Sequence, residues 1–387
     1  MIYVDNAATT KVSKTAIEAM LPFFDQAYGN PSSHHAAGQA ASQALFKARK
    51  TIADSLGSKP DEIYFTSGGS ESDNQAILSA ALLGERQGKK HIISTPIEHH
   101  AVLHTLEKLK KRGFVITFLD VHENGIVDSK ELEEAIRADT ALVTVMFANN
   151  EIGTIQPIRE IGAVCRVHNV IFHTDAVQAA GHISIDVERD NIDLLSLSAH
   201  KFNGPKGTGV LYAKSGIKLE RLIEGGAQEH GKRAGTENLP AIVGMAAAFK
   251  EATDKIPEST LQLTAMRDTL LNGLLNIPQT VVNGDRSNRL PGNVNVSFEG
   301  VNGESLLLLL NEKGICASSG SACTSGSDAP SHVLLAIGRT PAIARSALRL
   351  SLSHENTQEE IETVIKTVAE AVSYLREVSP VWKGGNV

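Results

Sequence analysis

The sequence predicts an α/β protein, with a mostly parallel sheet of seven strands covered by helices and a smaller α+β domain after it. Three observations carry this. Short apolar, β-branched runs alternate with helical stretches from about Asp61 to Lys214, and strand–helix alternation is the pattern of a parallel sheet with helices on its faces. Past about Pro257 the alternation gives way to a long helical segment and then strands with a single helix among them. The chain's 387 residues exceed what one compact core usually holds.

Taken in order, the strand candidates are EIYFTS, HIISTP, FVITFLDV, ALVTVMFA, VIFHTDA, LLSLSAH and GVLYAK. Between them, stretches such as SDNQAILSAALLGERQG and IREIGAVCRVHN space their apolar residues as helices do. The later module reads as the helix LQLTAMRDTLLNGLLN, the strand NVNVSFEG, the helix SLLLLLNEKG, a short strand ICAS and a last strand ALRLSLS. The junction is expected at IPES, near residue 257.

Composition narrows the function. The formal net charge is −7 and no Lys- or Arg-rich block occurs, which argues against nucleic acid or an anionic membrane as partner. The start, MIYVDNAATTKVSK, has no signal-peptide pattern, and the apolar run Leu306–Leu310 is far too short to span a bilayer. Three cysteines, an odd number, make no disulfide framework. A reducing cytoplasm is the expected compartment.

In open α/β sheets ligands bind beyond the carboxyl ends of the strands, so what each strand delivers there matters. EIYFTS delivers Gly68, Gly69, Ser70, Glu71 and Ser72. Paired glycines before a helix let backbone N–H groups approach a phosphate; the plainer reading is a capped helix after a tight turn. HIISTP delivers Glu98, His99 and His100. His100 and His104 share a helix face at metal-ligand spacing, but without HExxH or a third ligand no metal site is expected. ALVTVMFA delivers Asn149, Asn150 and Glu151. VIFHTDA delivers Asp175 and then Gln178. An acid ending an apolar strand needs a partner, and either a cationic ring nitrogen or its own turn would serve. LLSLSAH delivers Ser198, His200 and Lys201. Lys201 ends a buried-looking strand and reads either as a solvated strand terminus or as an amine held for chemistry; it is the better candidate than Lys206, which in a Gly-Pro-Lys-Gly turn is expected to be solvated. Among the cysteines, Cys165 and Cys316 read as small apolar residues. Cys323 lies in a Ser/Gly/Ala-rich stretch, Ser318 to Ala329, that has little to bury and is expected to be a mobile loop.

These stretches together resemble a family. YVDNAATT, YGNPSSHH, FTSGGSESDN, IEHHAV, NNEIGTIQP, HTDAVQAAG, SLSAHKFNGPKG, GKRAGTEN and SSGSACTSG stand in the order found in cysteine desulfurases, which are class V, fold type I pyridoxal-phosphate-dependent enzymes. The long SSGSACTSGSDAPSHVL stretch resembles the subgroup that works with iron–sulfur scaffold proteins. The resemblance implies a large cofactor-binding domain over residues 15–256, and a small domain made of 1–14 and 257–387 that carries the cysteine loop. It implies pyridoxal 5′-phosphate with Lys201 as its Schiff-base lysine, and His99 stacked on the ring to move protons. Asp175 would pair with the ring nitrogen and Gln178 with the phenolate, while Gly69, Ser70, Ser198 and His200 would bind the phosphate. Thr236 would reach a neighbouring subunit's phosphate, which implies a homodimer with shared sites. Asn150 and Arg349 would hold the substrate carboxylate, and Cys323 would become a persulfide. Ser70 stands where threonine is common in the family and keeps the hydroxyl. The implied reaction turns L-cysteine into L-alanine and passes sulfur to an iron–sulfur scaffold or another acceptor protein. Another fold type I enzyme, such as an aminotransferase or selenocysteine lyase, is the rival reading, and so is a non-catalytic sulfur carrier. Cys323 argues against the first, and the intact Lys201, Asp175 and His99 set argues against the second.

Overall fold

The computed structural model describes residues 1–319, 329–379 and 382. Two strands at the chain's beginning are β1 (Ile2–Tyr3) and β2 (Ile63–Thr66). After them come β3 (His91–Ser94), β4 (Val115–Phe118), β5 (Thr140–Thr144), β6 (Ile171–Asp175), β7 (Leu194–Ser198) and β8 (Gly209–Ala213). The strands β2 to β8 form one seven-stranded sheet in the order β2-β8-β7-β6-β5-β3-β4. Only β8 runs against its neighbours, so the sheet is mostly parallel, as the alternation predicts.

Both faces of this sheet are covered, which is why its inner strands read as unbroken apolar runs. Ile93, Val143, Leu195 and Val210 face one buried cluster, while their neighbours Ile92, Leu142, Leu194 and Leu211 face another. On the first side lies helix α1 (Ala36–Leu56), which buries Ile52, Ala53 and Leu56. It stops at Gly57, whose φ of +68° closes the helix by returning its N–H to the Ala53 carbonyl. On the second side lies α2 (Gly69–Glu85), whose small residues Ala76, Ala80 and Ala81 let it lie close to the strands. Helix α3 (His100–Lys111) comes after β3 and adds Val102, Leu106 and Leu109 to the same cluster.

The later part differs from the expected elements in three places. The helix expected from Leu261 begins earlier, as α5 (Ile256–Leu275), separated only by Lys255 from α4 (Leu239–Asp254). IPES is therefore the first turn of a helix, with the proline near its start, where a missing N–H costs nothing. A short strand β9 (Thr280–Val282) joins β10 (Asn293–Phe298) and β12 (Ala347–Ser351) in a three-stranded antiparallel sheet. The ICAS strand is only β11 (Ile315–Cys316), and it pairs in parallel with β1 instead of joining that sheet. Val4 consequently packs into the cluster that also holds Leu270, Val294, Val296, Leu348, Leu350, Ile361 and Val364. Residues 2–8 thus run from the smaller sheet across to the carboxyl edge of the larger one. Among the described residues no helix is long and apolar enough to cross a membrane.

Candidate active site

The carboxyl ends of β2, β3, β5, β6 and β7 open onto one cavity of about 400 Å³, lined by Gly69, Ser70, His99, Asn150, Asp175, Gln178, Ser198, His200, Lys201 and Arg349, among others. Ten of the twelve site residues expected from sequence therefore meet in one place. Thr236 does not: it is exposed and lies outside this cavity. Cys323, with the expectation of a mobile loop around it, lies outside the described residues.

Lys201 comes after β7 through a single turn of 3₁₀ helix, Ala199–Lys201. Its Nζ donates to the carbonyls of Ala7 at 2.5 Å and Ala8 at 2.8 Å. The amine is therefore aimed by the N-terminal segment, and Gln178 Nε2 donates to the same Ala7 carbonyl at 3.0 Å. Lys206 is exposed.

At the β2 end the chain turns into α2 through Gly68, whose φ of +152° is open to glycine and rarely to other residues. At Gly69 a Cβ would come within 2.6 Å of Val177 Cγ2, so the turn lies flush against the strand-end loop of β6. The first turn of a seventeen-residue helix then presents its N–H groups beside Ser70, Ser198 and His200. That donor set suits a phosphate. Burial, with the Lys201 and Lys206 charges second to it, pushes His200 down to about 4. The neutral ring contacts Thr9 Oγ1 through Nδ1 at 3.1 Å.

Asp175 ends β6, and its Oδ1 accepts the Val177 N–H at 2.9 Å, so the turn-capping reading holds as well. Burial raises its carboxyl, and the His99 and Lys201 charges oppose that rise. Behind it lie two further buried acids. Burial and the Asp175 charge hold Asp73 well above the ordinary carboxylate range, and burial pushes Glu98 up to about 8. Asp73 Oδ1 and Glu98 Oε2 have no hydrogen-bond partner among the described residues. A cationic ring nitrogen beside Asp175 would favour that residue's ionised form against its burial. The strand-end loop of β2 and this acid cluster are both what pyridoxal phosphate requires, so the residues fit the expected cofactor.

His99 caps α3, accepting the Ala101 N–H at Nδ1 over 3.2 Å. In the neutral ring its proton is therefore on Nε2. Arg349 comes from β12 of the smaller sheet and is 2% exposed. Its Nη2 donates to Asp5 at 2.9 Å and its Nη1 to the Asn150 carbonyl at 3.2 Å, while Nε is buried without a partner among the described residues. A guanidinium so placed has a donor left for a carboxylate.

Several residues next to the cavity carry no distinguishing mark in the sequence. Asp73 lines it. His173 is buried and pushed down to about 3 by desolvation, so its 3.7 Å approach to Asp73 is no ion pair. Its ring is instead held by Thr144 Oγ1 at 2.8 Å and Ser196 Oγ at 3.1 Å. The residues flanking 320–328 are also tied to this region. Ser318 pairs backbone to backbone with Arg349, Ser331 Oγ donates to Glu151 at 2.5 Å, and His332 Nε2 contacts the Glu98 carbonyl at 3.0 Å.

Comparison with known proteins points the same way. The class-V aminotransferase family profile matches residues 2–364. A cysteine desulfurase IscS of Methanosarcina thermophila is 54% identical over 379 residues, covering 98% of this chain and 94% of that protein. The cysteine desulfurase IscS of Clostridium botulinum strain Hall is 50% identical over 385 residues, covering 99% and 97%. A solved NifS-like protein superposes with a TM-score of 0.91 at 39% identity, over 96% of this chain and 99% of its own.

Proposed function

Because this chain belongs to the class-V aminotransferase family and is a cysteine desulfurase, we propose that the cavity holds pyridoxal 5′-phosphate and L-cysteine together and that Cys323 receives the sulfur. One observation carries the reading: a single cavity gathers the amine of Lys201, the buried acid Asp175, the phosphate-suited turn at Gly69 and Ser70, and the buried guanidinium of Arg349. Gly69, Ser70, Ser198 and His200 would hold the phosphate, Asp175 would pair with the ring nitrogen and Gln178 with the ring oxygen, and His99 would hold the ring and move protons.

When bound, the cofactor supplies an electron sink for the pair left as the substrate loses its Cα proton. Lys201 is the base for that proton, since its amine is half-buried at the cavity and already aimed by two carbonyls. Asp175, in its ionised form, would favour a protonated ring nitrogen. Arg349 and Asn150 orient the substrate through its carboxylate. Cys323, as thiolate, attacks the substrate sulfur. An S–S bond forms as the Cβ–S bond breaks, and the released electron pair and a proton end on Cβ. L-Cysteine and one enzyme thiol thus give L-alanine and one enzyme persulfide, with no outside oxidant or reductant. The ties of Ser318 to Arg349 and of Ser331 to Glu151 support this role, because they fasten both flanks of residues 320–328 beside the cavity.

Thr236, exposed and outside its own cavity, fits a contact given to the phosphate of a second copy in a homodimer. The persulfide is then passed to an iron–sulfur scaffold or another acceptor protein in the cytoplasm. Mass spectrometry after L-cysteine is added tests the core of the reading. One extra sulfur on Cys323, with alanine released, is expected; sulfur on Cys165 or Cys316 instead, or undiminished desulfuration by Cys323→Ala, would overturn it.

A further inference from the structure

We propose that the buried Arg49–Glu229 pair is a positioning device for cofactor phosphate binding in trans, holding the segment that presents Thr236. The inference rests on the reading that Thr236 crosses to a second copy, and it concerns what aims that threonine.

Glu229 is 4% exposed, although it lies in a connection between β8 and α4. Its Oε1 accepts Arg49 Nη2 at 2.6 Å. Its Oε2 accepts Arg49 Nη1 at 2.8 Å and the Phe65 backbone N–H at 2.8 Å. Arg49 reaches the pair from α1, lies 4.5 Å over the Phe65 ring and also donates to the Ile63 carbonyl. Among the described residues it is the one Arg– or Lys–carboxylate pair with both side chains under a tenth exposed. A buried pair is tolerated only when its remaining hydrogen-bonding capacity is met, and here it is met by β2.

The backbone explains what the pair is for. Glu229 and His230 both stand in the left-handed region, at φ +47° and +53°, and Gly231 continues it at +72°. Two successive non-glycine residues there are disfavoured and persist only where the surroundings fix them. The two-pronged grip of Arg49 and the Phe65 N–H supplies that fixing. The bend redirects the chain, and the residues just beyond it are clipped to the phosphate helix. Gln75 Nε2 donates to the Lys232 carbonyl at 2.9 Å. Arg233 Nε donates to Glu71 Oε1 at 3.0 Å, while Glu71 Oε2 accepts the Ser67 N–H at 2.8 Å. Residues 66–71 therefore do two things. They form the phosphate turn of their own cavity, and they anchor the segment that ends in the outward-facing Thr236. Phosphate affinity in one subunit then depends on Glu229 of the other.

Two measurements test this. Glu229→Gln and Arg49→Lys proteins, checked for folding by thermal melting, are titrated with pyridoxal 5′-phosphate and with pyridoxal, which lacks the phosphate. The phosphate form should lose about tenfold in affinity, the worth of one hydrogen bond to a charged group, and pyridoxal should lose none. Equal losses for both ligands would make the pair a general structural support and overturn the proposal. Heterodimers from doubly tagged co-expression give the second measurement. Glu229→Gln paired with Lys201→Ala should regain up to half of wild-type activity, because the one site with an intact lysine receives an intact segment. The same should hold for Thr236→Ala paired with Lys201→Ala. If the Thr236 heterodimer recovers and the Glu229 heterodimer does not, the pair acts within its own subunit and this inference alone falls. If neither recovers, the crossing threonine falls, and the inference with it.

Discussion

Two buried charged regions flank the strand-to-helix turn at Gly68, and they are built on opposite terms. On one side, Arg49 and Glu229 meet each other with two prongs and leave none of their own buried polar atoms unpartnered. On the other, Asp73, Glu98, Asp175 and Arg349 leave Asp73 Oδ1, Glu98 Oε2 and Arg349 Nε unsatisfied among the described residues. A charged group whose bonding capacity is filled from within holds structure. One that is left partly unfilled, at the edge of a cavity, has capacity for something that arrives later. The contrast separates scaffold from site without reference to any ligand.

The comparison is broken most severely on the site side. Lys201→Ala and Cys323→Ala should each lower turnover by about a thousandfold or more. Lys206→Ala, altering an exposed residue, should keep near-normal activity. A normal rate for Lys201→Ala in a steady-state alanine assay would remove the functional half of the contrast. On the scaffold side, Glu229→Ala leaves Arg49 buried without its partner. Urea unfolding should show a loss of about 3–5 kcal/mol, and a loss below about 1 kcal/mol would mean that the pair is solvated after all.

A third measurement uses pH. Glu98 is raised to about 8 in the folded chain from an ordinary 4.5, mainly by burial. Between those values the folded state holds a proton that the unfolded state has lost. Its contribution is therefore complete below pH 4.5 and is lost as pH rises toward 8, with a slope of at most about 1.4 kcal/mol per pH unit. In Glu98→Gln, Oε1 can still accept from Thr95 at 2.7 Å and from Met146 at 2.9 Å, and nothing titrates. The variant should resemble wild type near pH 5 and become the more stable protein by pH 9, as read by thermal melting. Parallel curves at both pH values would show that Glu98 is ionised throughout. The smallest effect belongs to a charged pair outside both regions. Lys250 and Asp254 stand at i and i+4, more than half exposed, so Lys250→Ala should change stability by no more than about 0.5 kcal/mol.

What the sequence made legible is what local chemistry writes into consecutive residues. Glycines before a helix, an acid ending an apolar run and a lysine after a strand are visible one stretch at a time. The edge-of-sheet rule then brings them together. Asp73 was hidden because SESDNQ reads as an ordinary polar first turn, and its burial comes from β6 and β7 beneath it. His173 stands between Phe172 and Thr174 with nothing in its spacing to single it out. Arg49 and Glu229 are 180 residues apart, and no local pattern links them. The β1–β11 pairing was missed for the same reason: two residues on each side are too few to show a period.

The strap at the start of the chain has a consequence for synthesis. Val4 receives the Ser351 N–H at 2.7 Å and gives its own to the Cys316 carbonyl at 3.0 Å, and Ala7 and Ala8 aim Lys201. Residues 2–8 are made long before β11 and β12, the strands that seat them. The larger sheet can assemble while translation continues. Arg349 is itself part of β12, so a chain made only as far as the larger sheet has a cavity edge but no guanidinium to complete it. The reactive geometry is thereby withheld until β12 has been made.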